Sequence, residues 1–192
     1  MRFASRPVLL ACMLLSMTAQ ATDADALKAG VFNPPREAPD FSVRGSDGAV
    51  LTLSQYRGKV VVLGFGYTSC PNVCPVTLAV LALAHRKLGA LGSQVQVIYL
   101  TVDPERDSAE RLKQYLAAFD PTFVGGTGTA AQMAAVRASY GVTAQKIGSG
   151  NDYGIAHSSF IYLITREGKL RALMPFGHTA DDYVHDISML LN

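Results

Sequence analysis

The rhythm of apolar and polar positions changes along the chain, and each change marks an element. From Phe41, "FSVRGSDGAVLTLSQYRGK" alternates in two short runs around a "GSDG" turn, which predicts a hairpin, because successive strand residues face opposite sides of a sheet. "KVVVLGFGY" is apolar almost without interruption and rich in β-branched residues, the pattern of a central strand buried on both faces. From about Pro75 to Leu88 the period becomes helical, with Val76, Leu78, Ala79, Leu81 and Leu83 apolar. His85, Arg86 and Lys87 then suit the negative pole of the helix dipole. "VQVIYLTVDP" predicts a second buried strand.

In "DPERDSAERLKQYLAAFDP", Ser108 is placed to cap an amphipathic helix that Asp120 and Pro121 end. "GGTGT" lacks the lysine of a phosphate-binding loop and reads as a plain loop. "TAAQMAAVRASYG" predicts a further helix closed by Gly141, "HSSFIYLITREGKLRALMPF" two strands joined at "EGK", and "TADDYVHDISMLLN" a capped terminal helix. Residues 22–40 are rich in Ala, Asp and Pro without sustained periodicity, and read as a linker or an extended arm. The order hairpin, β, α, β, α, α, β, β, α over 41–192 predicts an α/β, thioredoxin-like domain: a mixed central sheet flanked by helices, with an added N-terminal hairpin.

"MRFASRPVLLACMLLSMTAQA" has two early arginines, a short apolar run and an Ala-x-Ala ending, the layout of a secretory signal peptide cut after Ala21. The run from Val8 to Met17 falls well short of the ~20 residues of a membrane-spanning helix. "LLAC" ending at Cys12 offers a competing lipoprotein site and with it a membrane tether. An exported protein of the bacterial periplasm is therefore expected. Losing residues 1–21 takes the 17 basic residues to 15 against 15 acidic, so the basic pI belongs to the leader and gives no support to nucleic-acid binding.

Of the three cysteines, Cys70 and Cys74 then remain. A structural disulfide usually closes a long loop, whereas this pair closes almost none, in a chain of 171 residues able to build its own core. Chemistry explains the pair better than stapling. At the end of a strand and the start of a helix, unpaired N–H groups favour negative charge, so both thiols should ionise below the reference of roughly 8.5. A spacing of four on a helix brings side chains to one face about 6 Å apart at Cβ. That separation suits two metal ligands and also a disulfide after backbone adjustment, and geometry alone does not choose between them. Three residues, Pro71, Asn72 and Val73, separate the cysteines where the common redox motif has two, which favours a metal.

"GYTSCPNVCP", then "VDPERD" at 102–107, then "YGIAHSSFIYLI" at 153–164 resemble, in order and separation, the Sco/SenC family of copper-binding assembly proteins. The resemblance runs from about Phe41 to the C-terminus. It implies Cys70, Cys74 and His157 as copper ligands, a thioredoxin-like fold, and a role at the binuclear copper site in subunit II of a respiratory cytochrome oxidase, either delivering copper or reducing that site's cysteines. A copper donor or a thiol reductant would be a further partner. Two thiolates and one imidazole form a soft set with affinity for Cu(I) or Cu(II) and leave a position open for an acceptor. A closed zinc site would need a fourth protein ligand, and the mature chain has no further Cys, whereas a catalytic-type Cys₂His zinc site stays open as the alternative to copper. The chain departs from the family pattern at Asn72 and Ala156, where members commonly carry Asp, so carboxylates that would tune the ligands are missing.

The remaining candidates have plainer readings. His85 and His185 suit helix-end or solvated roles, and His178 a place near the cap of the last helix. Met133, Met174 and Met189 suit packing. In "DPERD" a catalytic base at Asp103 competes with a strand-end turn leading to a cap, and the turn is favoured.

Overall fold

The structure is a computed structural model and describes residues 27–150 and 152–192; the leader, its cleavage site and Cys12 lie outside the described residues. Among the described residues, ten strands and four α-helices follow in the order β1 (Gly30–Glu37), β2 (Ser42–Gly45), β3 (Val50–Thr52), β4 (Val60–Gly66), α1 (Val73–Lys87), β5 (Val95–Thr101), α2 (Ala109–Ala117), β6 (Val124–Thr127), α3 (Ala130–Ser139), β7 (Ala144–Ile147), β8 (Gly154–His157), β9 (Phe160–Ile164), β10 (Lys169–Pro175) and α4 (Ala180–Leu191). Eight strands form one sheet in the order β1-β10-β9-β4-β5-β6-β2-β3, and β7 with β8 forms a separate two-stranded ribbon.

The expected mixed sheet is present. β4, β5 and β6 run parallel, while β9, β10 and β1 continue antiparallel on one side and the β2–β3 hairpin on the other. Every residue of β4 is buried, as its unbroken apolar run requires of a strand covered on both faces. α1 packs on α4, and α2 lies along β6. Ser108 caps α2 by accepting from the N–H of Arg111, and Thr129 and Thr179 open α3 and α4 with capping boxes. Gly141 follows α3 at φ +69°, the left-handed conformation that glycine adopts without steric cost.

Three expectations are corrected. The arm expected over 22–40 contains β1, whose two prolines disguise it; an edge strand tolerates missing donors, and the pairing with β10 is interrupted between Val31 and Arg36, where Pro34 and Pro35 fall. The buried carboxylate of Asp186 on α4 fixes its approach by accepting from the N–H groups of Lys28 and Ala29. The "GGTGT" loop is in part β6: a Cβ on Gly126 would stand 2.4 Å from Leu100 and one on Gly125 2.9 Å from Leu112, so the glycines admit close neighbours rather than a turn. The first helix begins at Val73, two residues early, which places Cys74 within it.

Candidate metal centre

β4 ends at Gly66 on the carboxyl edge of the parallel strands, and Tyr67 to Ser69 lead into a turn in which the Cys70 N–H donates to the Tyr67 carbonyl. Pro75 sits in the first turn of α1, where its missing N–H leaves no gap in the helix. Cys74, one residue earlier, is only 2% exposed, whereas Cys70 lies outside the helix and is half-buried. Both are free thiols. The N–H of Cys74 donates to Cys70 Sγ at 3.4 Å, so the spacing of four brings the second residue's amide onto the first residue's sulfur.

His157 ends β8 on the separate ribbon, and its Nε2 lies 3.7 Å from Cys74 Sγ. Its Nδ1 is 3.0 Å from the Ser158 carbonyl, which can only accept, so Nδ1 carries the proton and the Nε2 lone pair faces the sulfur. Burial lowers the imidazole pKa against the opposing pull of that carbonyl, which keeps the ring neutral. The three residues predicted as ligands thus meet as two adjoining pairs that share Cys74. Among the described residues no three His, Cys, Asp or Glu side chains are gathered tightly enough to enclose an ion, so the trio must close in to do so.

The thiols are unequal, which corrects the expectation of two ready thiolates. Burial pushes Cys74 up to about 12, and the neighbouring Cys70 sulfur adds to the rise. Burial also raises Cys70, but the Cys74 thiol and the N–H groups of Asn72, Val73 and Cys74 outweigh it and carry Cys70 below its ordinary value.

Four residues that sequence reasoning did not single out hold this arrangement. Asp107 is fully buried and accepts from the Thr68 N–H at 3.1 Å, the Thr68 hydroxyl at 2.6 Å and the Thr101 hydroxyl at 2.6 Å. Arg111 extends the clamp, donating from Nε to the Thr68 hydroxyl at 2.6 Å and from its terminal nitrogen to Ser69 at 3.2 Å. The two residues before Cys70 are therefore fixed to β5 and α2. Tyr67 reaches the ribbon: its hydroxyl accepts from the Ile155 N–H at 3.1 Å, and its ring meets that of His157 edge-on at 6.0 Å. Tyr153 donates to Asp103 at 2.7 Å and carries the Arg106 guanidinium 3.7 Å above its ring. The one signal in the sequence was the second Asp of "DPERD" at a strand end, where buried carboxylates gather around sites.

Asp103 is no free base: it is buried, it holds Tyr153 and Arg106, and its carbonyl accepts from the N–H groups of Arg106 and Asp107, so it forms the turn that was favoured. His85 binds Asp120 at 2.9 Å and the Gly92 carbonyl at 3.2 Å. His178 lies 3.5 Å from Asp182 in the capping box of α4, and His185 is 2.9 Å from Asp186. Met133 and Met174 are core residues. Asn72 precedes α1 with no side-chain cap bond, and Ala156, exposed on the ribbon, has no side-chain acceptor to bring to the trio.

The family model described as SCO1/SenC matches residues 32–192. A mitochondrial SCO2 homolog of Bos taurus is 39% identical over 133 residues, which cover 67% of this chain and 50% of the bovine protein. A solved structure of Bradyrhizobium japonicum ScoI with copper bound is similar at TM-score 0.75 and 33% identity, over 81% of this chain and 99% of that one. BsSco, reported with a disulfide switch and as a member of the Sco family of cytochrome c oxidase assembly proteins, is similar at TM-score 0.66 and 26% identity, over 82% and 95% of the two chains. The chain spans about half the length of the bovine relative and 64% of the SCO2-like protein of Rickettsia prowazekii.

Proposed function

This chain belongs to the SCO1/SenC family, and on that premise we propose that it is an exported copper metallochaperone whose cargo is held by Cys70, Cys74 and His157. The observation that carries the reading is the 3.7 Å approach of His157 Nε2 to Cys74 Sγ, with Cys70 Sγ on the Cys74 amide beside it. Two sulfurs and an imidazole nitrogen whose lone pair already faces inward fit the preference of copper for soft donors, and the set lacks the fourth ligand of a structural zinc site. Binding requires both thiols to lose their protons, so loading a protein whose Cys74 sits near 12 releases protons to solvent. The recipient in this reading is the binuclear copper site of cytochrome oxidase subunit II, reached by exchange of donors through the open coordination position. The compartment is the periplasm, with the leader removed after Ala21 or the chain tethered through Cys12. Among the described residues no helix is long and apolar enough to cross a membrane.

The test is anaerobic copper titration of the reduced protein, reading Cu(I) by competition with a chelator and Cu(II) by thiolate charge-transfer absorption. One tight equivalent that weakens in His157→Ala supports the reading. Unchanged stoichiometry in the Cys70→Ala, Cys74→Ala double variant overturns it.

A second reading follows from the inequality of the thiols. In it the protein is a thiol-disulfide oxidoreductase acting on the cysteines of that copper site: the Cys70 thiolate attacks one sulfur of the partner's disulfide and displaces the other. Cys74 then loses its proton and attacks Cys70, freeing the partner's second thiol and leaving a Cys70–Cys74 disulfide. Two electrons pass to the partner, and a separate thiol reductant must restore the pair. Disulfide reduction retained in His157→Ala separates this role from copper delivery.

A further inference from the structure

Asp103, Glu105 and Arg106 of the "DPERD" turn all reach toward the ribbon that carries His157. Tyr153, just before β8, donates from its hydroxyl to the Asp103 carboxylate at 2.7 Å. Arg106 closes the ring of contacts: it donates from Nε to that same carboxylate and from a terminal nitrogen to the Tyr153 carbonyl at 3.0 Å, and its guanidinium carbon lies 3.7 Å from the centre of the Tyr153 ring. On β7, Lys146 lies 4.5 Å from the centre of the same ring and 2.6 Å from Glu105. Both arms of the ribbon are thus gripped from one turn.

These contacts carry unequal weight. The Lys146 and Glu105 side chains are 51% and 58% exposed, and an ion pair in water contributes little. The Asp103 side chain is 1% exposed and that of Arg106 23%, so the triangle of Tyr153, Asp103 and Arg106 is shielded, and a cation over an aromatic face is worth most where water is kept away. Arg106 also stands 5.8 Å from the ring of Tyr67, whose hydroxyl holds the Ile155 amide. Ile155 is buried and Ala156 exposed, as alternation along a strand requires, which puts His157 on the face of Ile155. The grip at Tyr153 lies four residues before His157, roughly 13 Å of extended chain, so a shift of the ribbon at one end is carried to the imidazole at the other.

We propose that Tyr153 is a positioning residue for His157: the clasp it forms with Asp103 and Arg106 holds the ribbon so that the imidazole stands against Cys74, and it sets how well the third donor reaches the ion while leaving the thiols as they are. The inference rests on the reading of His157 as a donor. It gives the "DPERD" turn a task at the opposite side of the site from the one Asp107 performs on the loop before Cys70.

The experiment measures Cu(I) affinity by chelator competition for the wild type, Tyr153→Phe and Tyr153→Leu, each with His157 present and with His157→Ala. Tyr153→Leu loses ring and hydroxyl together and should bind about tenfold more weakly, as metal sites do when outer support is removed. Tyr153→Phe keeps the ring under the guanidinium and loses only the bond to Asp103, so its affinity should fall about threefold. In the His157→Ala background both losses should vanish, since nothing remains for the clasp to position. The equilibrium of the Cys70–Cys74 pair with glutathione should be equal in wild type and both Tyr153 variants. A loss of the same size with and without His157, an unchanged affinity in Tyr153→Leu, or a shifted glutathione equilibrium overturns the proposal. If His157→Ala alone leaves copper binding intact, or copper binds none of the proteins, the donor reading fails, and amide exchange in the metal-free proteins decides whether the clasp holds the ribbon. Exchange at Ile155 should then quicken about tenfold in Tyr153→Leu relative to β9, and equal exchange overturns the clasp. Should Tyr153→Leu fail to fold, Tyr153→Phe carries the same comparisons.

Discussion

His157 Nε2 and Cys74 Sγ lie 3.7 Å apart although 83 positions separate them in the chain. The sulfur is fixed by the junction of β4 and α1, inside the main sheet's packing, whereas the imidazole arrives on a ribbon outside that sheet. Tyr67 joins the two, since it follows β4 directly and its hydroxyl holds the Ile155 amide two residues before His157. Loss of that hydroxyl in Tyr67→Phe leaves the Ile155 N–H without its acceptor and is expected to weaken copper binding severalfold while the Cys70–Cys74 disulfide still forms. Parallel copper titration and thiol counting check both halves.

Alkylation should distinguish the two thiols. Cys70 is half-buried with its pKa lowered, while Cys74 is buried and pushed up to about 12, so limiting iodoacetamide at neutral pH modifies Cys70 first and by a wide margin. Peptide mass mapping of the partly modified protein reads the order. Equal labelling would contradict the asymmetry on which the thiol-exchange reading depends.

Gly66→Ala should be among the most damaging small substitutions in the chain. The added methyl meets the Tyr99 hydroxyl at 1.7 Å, and the phenol is fully enclosed, so the ring or the strand must move. Overpacking of a core typically costs about 1–3 kcal/mol, and this contact belongs at the upper end. Urea unfolding with the midpoint and slope compared measures it. The Tyr99→Leu, Gly66→Ala double variant should regain part of the loss.

Asp107→Ala removes the acceptor shared by the Thr68 amide, the Thr68 hydroxyl and the Thr101 hydroxyl. Buried donors left unsatisfied cost about 1–3 kcal/mol each in desolvation, partly relieved by water entering the gap, so a loss of about 3 kcal/mol is expected. Faster amide exchange at Thr68, with that of β9 unchanged relative to global stability, would place the effect in the loop before Cys70.

Much of this was legible because the central elements follow one rule each. β4 and β5 read as continuous apolar runs and are buried strands, and Ser108 read as a cap and is one. β6 and β1 were missed for opposite reasons. In β6 the glycines answer to neighbours on β5 and α2 that no local window contains, and in β1 the prolines are tolerated only because the strand lies at the edge. At the site, the cysteine spacing pointed to the pair, but the inequality of the thiols depends on burial, and the partners Tyr67, Asp107 and Tyr153 come from three separate segments with no spacing signal to link them.

Asp120 supplies a pH signature away from the thiols. Burial raises its carboxyl pKa, but the Thr122 hydroxyl and amide together with His85 outweigh burial and hold it below the ordinary 3.8. A carboxylate whose folded pKa is depressed stabilises the fold above the unfolded value, and that stability is lost as pH falls through the folded one. The stability gap between wild type and Asp120→Asn should therefore be full above about pH 4 and shrink as the acid limb goes lower. Denaturant titrations at stepped pH measure it, and a gap that widens on acidification would reverse the assignment.

The ribbon that carries His157 forms a sheet of its own. Under the proposed function the donors would then divide between two supports, the sulfurs at the junction of β4 and α1 and the nitrogen on the ribbon, and exchange at the nitrogen would leave both sulfurs in place.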